Sequence, residues 1–178
     1  MKKGIILLTG FIVLLLGCRK YNILPDVSTN GYNTFGCTTN GKLFVPRGGF
    51  AIVPLQASFR ITSKGIYHFR LDASNVIYDT PARAMMLFID SLPFKSGDRL
   101  TFNPIGTHAS ATAIFYYGLD LKSYTVIPSP TRQLEILKLD TVNKIIAGQF
   151  SFDAVNTMGD TIHVRQGRFD VIYTSYFY

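Results

Sequence analysis

Gly148-Gln149-Phe150-Ser151-Phe152-Asp153-Ala154 alternates residue by residue between apolar or small side chains and polar ones. Successive side chains of an extended strand point to opposite faces, so Phe150, Phe152 and Ala154 share one face and Gln149, Ser151 and Asp153 the other. The segments that follow repeat the pattern. Ile162 and Val164 stand against Thr161, His163 and Arg165; Phe169, Val171 and Tyr173 stand against Arg168 and Asp170. Requiring like faces to match sets a register, because a slip of one residue would turn every side chain over. Phe152 is thereby predicted opposite Val164 and Ala154 opposite Ile162, across a loop at 156–160. With Gln166-Gly167 read as a tight turn, Val164 then falls opposite Phe169 and Ile162 opposite Val171. This places His163 between Asp153 and Asp170 on the polar face. Asp153, His163 and Asp170 form the one local cluster that could act as a pH-sensitive or divalent-metal position. A plain cross-strand ladder of alternating charge on a solvent face is the more economical reading of the same residues.

Working outward, the same period recurs upstream. Thr34 to Thr38 and Lys42 to Val45 flank Asn40-Gly41, a hairpin signal because both residues tolerate positive φ. Further strands are expected at 51–61, 65–73, 83–92, 99–102, 111–120, 124–127, 133–139, 145–155, 161–165 and 168–176, with turn residues between nearly all of them. Glu135 is the only glutamate, while Phe, Tyr, Thr, Ile and Val abound, a balance that favours pleated sheet over helix. The fold class expected is all-β: an antiparallel sandwich or closed barrel of about ten short strands.

The first residues read differently. Lys2 and Lys3 precede an unbroken apolar stretch from Gly4 to Leu16, followed by Gly17 and Cys18. That stretch is shorter than the ~20 residues a membrane-spanning helix needs, and it has the parts of an export signal. Leu15-Leu16-Gly17-Cys18 resembles the lipobox of bacterial lipoproteins. The resemblance implies cleavage before Cys18 and lipid on its thiol. Three parts are then expected: a signal peptide with a helical apolar core at 1–17, a lipidated cysteine and flexible tether at 18–33, and a single all-β domain at 34–178. Arg19-Lys20-Tyr21-Asn22 lacks an Asp directly after the cysteine and any acidic cluster; by resemblance to lipoprotein sorting signals, this favours an outer-membrane anchor facing the periplasm. Lipidation of Cys18 would leave Cys37 without a partner, and no Lys or Arg lies near it in sequence to activate its thiol, so a buried, inert role is expected.

A second resemblance lies in Gly148-Gln149-Phe150-Ser151-Phe152, Gly159-Asp160-Thr161 and Gly167-Arg168-Phe169-Asp170, with Asn40-Gly41-Lys42 at the front of the domain. It is similar to the C-terminal signature of small envelope lipoproteins from gut and environmental Gram-negative bacteria. It implies no activity, no cofactor and no catalytic residue.

The formal charge of +7 falls by two once the signal peptide is gone, and the remaining Lys and Arg are scattered singly. Nucleic-acid binding would want them clustered beside stacking aromatics, so no nucleic-acid partner is expected. Hydrolase and zinc motifs such as G-x-S-x-G, H-E-x-x-H and paired C-x-x-C are absent from the sequence. His68, His108 and His163 are far apart, and Thr107-His108-Ala109-Ser110 and Arg47-Gly48-Gly49 read as turns. No catalytic residue, metal or cofactor is expected. Tyr116, Tyr117, Tyr124, Tyr176 and Tyr178 could stack on sugars. The leading reading is a lipid-anchored, non-enzymatic envelope protein that reaches the membrane through Cys18 and binds a protein or glycan partner. The alternative is a calycin-like carrier of a small apolar ligand. A third class is an envelope hydrolase, and a fourth reading is an outer-membrane strand, resting on the alternation of Ile172, Thr174, Tyr176 and Tyr178 up to an aromatic C-terminus.

Overall fold

The computed structural model describes residues 23–48, 53–75, 82–104, 110–118 and 122–175. The expected signal peptide, Cys18, Thr107 to Ala109 and the aromatic pair Tyr176 and Tyr178 lie outside them. Eleven strands form: β1 Thr34–Thr39, β2 Lys42–Phe44, β3 Leu55–Ile61, β4 Tyr67–Asn75, β5 Arg83–Asp90, β6 Arg99–Thr101, β7 Ser110–Tyr117, β8 Lys122–Ile127, β9 Gln133–Asp140, β10 Ile145–Val155 and β11 Thr161–Ile172. The chain is all-β over the described residues, as composition and alternation require.

All the strands belong to one antiparallel sheet with the order β2-β1-β11-β10-β8-β7-β5-β4-β3. Strand β10 meets β11 along its whole length on one side, while on the other side its first half pairs with β9 and its last residues with β8. Strand β6 adds to β9. The sheet curls so strongly that its far edge returns to the middle: the Phe59 amide donates to the Thr174 carbonyl and the Thr174 amide to the Ala57 carbonyl, both at 2.9 Å. Backbone groups that would otherwise be left open on an edge are thereby used.

Inside the curl the residues expected to face inward do so. Phe44, Phe69, Phe102, Phe115, Phe152 and Phe169 are fully buried, as is Cys37. Edge-on and offset ring contacts join them, for example Phe102 to Phe152 at 5.2 Å and Phe69 to Phe169 at 5.8 Å between centroids. Burial pushes the Cys37 thiol far above its ordinary pKa, which leaves it without thiolate character.

The two Gly-x-Phe runs of β10 and β11 interlock. Gly148 lies opposite Phe169, and Phe150 opposite Gly167. A Cβ on Gly167 would sit 2.4 Å from the Phe150 ring, and one on Gly148 would sit 2.7 Å from the Phe169 ring and 2.6 Å from the Glu135 carbonyl. Each glycine is the gap into which the opposite strand's phenylalanine lies down. Interiors at native density have no slack for an added methyl at such points.

One sequence expectation is corrected here. Gln166-Gly167 is not a turn; β11 runs through it without reversing. The expected pairs Phe152 with Val164 and Ala154 with Ile162 are present, whereas Val164 with Phe169 and Ile162 with Val171 are not. Gln166 has φ 53°, and both neighbours of β11 lose step beside it: Phe150 to Phe152 spans Gly167 to Val164, and Gly36 to Thr38 spans Arg168 to Arg165. This is a β-bulge, with one extra residue on β11. It shifts the inward positions from even numbers (Ile162, Val164) to odd ones (Phe169, Val171). A turn and a bulge answer the same change of phase, and here the bulge does.

A second correction concerns residues 30–33, which were expected within a flexible tether. The amides of Asn30, Gly31 and Tyr32 donate to the Asp170 carboxylate at 3.0, 2.7 and 3.2 Å, and the Ile172 amide donates to Asn33 Oδ1 at 2.9 Å. Further back, Arg168 donates to the Pro25 carbonyl at 3.2 Å, and Gly36 leaves room for the Pro25 ring. Residues 23–33 form a strap across β1 and β11.

Candidate functional site

The cluster read from the sequence is half assembled. His163 Nδ1 lies 2.8 Å from Asp153 Oδ1, directly across β10 and β11, as the register predicts. Asp170 is not with them. On a continuous β11 it stands seven residues further along, roughly 23 Å at about 3.3 Å per residue, and it is 1% exposed beneath the strap. Two arginines take its place around Asp153: Arg165 Nη2 at 2.5 Å and Arg132 Nε at 3.7 Å. Partial burial pushes the Asp153 carboxyl up, but the hydrogen bonds from His163 and Arg165 and the Arg165 charge outweigh that and hold it below the ordinary carboxylate range. A cation would find two ligands here and two guanidinium groups competing for one of them, a poor metal position. His68 and Asp90 repeat the same cross-strand pairing on β4 and β5. The Asp153 group is a surface ladder.

A different place gathers functional side chains. At the end of the curl where β10 turns into β11, a cleft of about 330 Å³ is lined by Thr39, Asn40, Lys42, Arg83, Phe115, Tyr117, Tyr124, Asp160, Thr161 and Ile162. Each wall has a local reason to be where it is. Asn40 and Gly41 take φ 49° and 77°, the paired positive values of a tight hairpin turn, so β1 and β2 project together. A backbone bond from Asn40 N to His163 O at 2.9 Å and a bond from His163 N to the Asn40 side-chain Oδ1 at 2.8 Å fasten this turn to β11.

Across the cleft, Arg83 at the start of β5 donates to Thr39 Oγ1 at 3.0 Å and to the Leu43 carbonyl at 2.9 Å, with its guanidinium 5.3 Å from the Phe44 ring centroid. It ties the hairpin to the opposite wall while keeping a positive charge on the lining. The loop 156–160 is organised by buried Asn156, whose Oδ1 accepts from the amides of Met158 and Asp160 and whose Nδ2 donates to Asp160 Oδ2, each at 2.9 Å. Asp160 is thus presented in a set position.

Of the tyrosines expected to stack on sugars, Tyr117 and Tyr124 reach this cleft, from β7 and its partner β8. Tyr116 alternates onto the opposite face of β7. Lys42, Arg83 and Asp160 were not singled out from the sequence. Their signals, the residue after an Asn-Gly turn and a Gly-Asp-Thr run, mark turns rather than sites, and only the curl of the sheet brings them together.

No family model, no curated protein and no solved structure matches this chain.

Proposed function

We propose that this chain is a lipid-anchored, non-enzymatic protein of the bacterial envelope, and that the cleft at the β10–β11 end binds an envelope component. The lipobox-like Leu15-Leu16-Gly17-Cys18 supports the anchor; the small-lipoprotein resemblance of the Gly-x-Phe signature agrees with it. The outer membrane, with the domain facing the periplasm, is the compartment that residues 19–22 favour.

One observation carries the binding reading: Lys42, Arg83, Asp160, Thr161 and two tyrosines, from four distant parts of the sequence, line a single concave cleft. Concavity, a few polar groups and aromatic walls are the ordinary make-up of a small-molecule or saccharide site. Between the two partner classes considered, a glycan fits this cleft better than a flat protein surface does. Nothing in the lining pairs a nucleophile with a base. The interior is filled by phenylalanine rings, which favours a binding face at the end of the curl over an apolar cargo inside it. In this reading the curl is a barrel-like body, closed at Thr174, rather than two stacked sheets.

Two measurements test the reading. Mass spectrometry of the protein from its native membrane should find Cys18 as a lipid-modified N-terminus. A panel of envelope glycans, screened by calorimetry against the intact protein, should yield a ligand whose affinity falls about tenfold or more on Lys42→Glu or Tyr117→Ala, the loss of one charged or stacking contact. A full panel without binding, or binding indifferent to both substitutions, would remove the cleft from consideration.

A further inference from the structure

The strap changes what an anchor at Cys18 would do. Its described residues begin at Ile23, so four residues, or five Cα steps, separate that point from Cys18, a contour of at most about 18 Å. A domain held that closely has one side near the lipid. Apolar residues predominate on that side.

Where the two edges of the curl come together, two adjoining grooves of about 380 and 550 Å³ share Leu55. The first runs beneath the strap past Ile23, Leu24 and Pro25; the second passes Val53 and Ile172. Nine large apolar side chains are exposed among the described residues, and five of them are on the strap or flank it: Ile23 at 57%, Val27 at 48%, Tyr32 at 67%, Val53 at 63% and Ile172 at 50%. Such concentration is unlike the single scattered apolar residues of an ordinary surface. Among the described residues lining them, Asp26 is the one charged residue of the first groove, and the second has none.

We propose that this seam face rests on the lipid bilayer, so that the domain sits in one orientation with the loop 156–160 pointing away from the membrane. The proposal builds on the reading that Cys18 carries lipid. The short contour from Cys18 to Ile23 selects the occupant: a bilayer that holds the acyl chains lies within reach of this face before any other partner does. The acyl chains on Cys18 would hold the domain at the surface, and apolar contact at the headgroup boundary adds to that hold. The position of that loop, one wall of the cleft, follows from the ribbon. Ile172 pairs with Ile145 at one end of the β10–β11 ribbon, while the loop bearing Asp160 joins the strands at the other. Eleven residues of β10 separate the two ends by roughly 33 Å at about 3.3 Å each.

Buried Cys37 and a lipidated Cys18 leave an introduced cysteine as the reactive one, so labels can be placed singly on the full, lipidated protein. Val53→Cys, Ile172→Cys and Met158→Cys, each carrying an environment-sensitive fluorophore, would be reconstituted into vesicles of phosphatidylethanolamine and phosphatidylglycerol with brominated acyl chains. The expected result is severalfold stronger quenching at 53 and 172 than at 158, lost at 172 when Val53→Asp is added although the lipid remains. Equal quenching at all three sites would overturn the orientation. Shielding of 53 from iodide without quenching by bromolipid would overturn it differently, by showing a protein such as a second copy over the face. Mass spectrometry on the same sample separates these outcomes from failure of the anchor itself, since an unmodified Cys18 removes the reason for this face to meet a bilayer.

Discussion

Asp153 and Asp170 occupy equivalent outward positions on neighbouring strands, yet one takes part in a solvent-facing ladder and the other is sealed under a strap. Asp153 shares its charge among His163, Arg165 and Arg132 with water close by. Asp170 receives three backbone amides and is 1% exposed. Identical chemistry thus does opposite work: one carboxylate adjusts a surface, the other fastens the N-terminal segment to the last strand. The difference comes from the bulge at Gln166, through which β11 continues without reversing, carrying Asp170 away from His163 towards residues 30–32.

Breaking that arrangement at its origin should have the largest effect. Inserting one alanine between Gly167 and Arg168 throws the rest of β11 out of phase and turns Phe169 and Val171 outward; losing burial of two such side chains, at about 1.5–3 kcal/mol each before any cavity term, should abolish a cooperative unfolding transition in urea. Next comes Asp170→Ala. It leaves three strap amides without their acceptor, and we expect a loss of about 1–3 kcal/mol in denaturant unfolding, with hydrogen exchange accelerating first at Asn30, Gly31 and Tyr32. A strap whose amides stay protected in that variant would contradict the role given to Asp170.

The smallest effect is expected at the ladder. Asp153→Asn should cost less than about 1 kcal/mol at neutral pH, as partly exposed ion pairs do. Because the folded-state pKa of Asp153 is depressed, its contribution is fully present above the ordinary carboxylate value of about 3.9 and disappears as pH falls through the lower folded-state value. Stability curves of the parent and the Asn variant should therefore run parallel near neutrality and converge on acidification. Divergence at low pH would mean that the carboxylate is not held in its charged form by the fold.

How much could be read in advance follows the same division. Strand alternation located the inward phenylalanines of β10 and β11, the pairing of Phe152 with Val164 and the contact of Asp153 with His163, because a two-residue period leaves little choice once one face is apolar. The change from even to odd inward positions was legible too. Its resolution was not, since Gln166-Gly167 suits either a turn or a bulge. A further signal was present: Ile145 to Val155 runs unbroken for eleven residues, and a long strand beside two short ones would leave backbone groups unpaired unless its partner were equally long. The cleft could not be read, because Lys42, Arg83 and Asp160 are brought together by curvature. Nor could the strap, whose polar, irregular sequence is shared by free linkers and by segments pinned through their backbone.

The closure at Thr174 has a consequence for biogenesis. Strand β1, near the start of the domain, is hydrogen-bonded to β11, and β3 is completed by a residue beyond β11. Neither can be satisfied until the ribosome has delivered residues 161–174, and pairings so distant in sequence form slowly. A chain wired this way stays open during synthesis; under the export reading proposed above it would reach a translocation pore still unfolded, with unpaired strands that need a chaperone to keep them from associating.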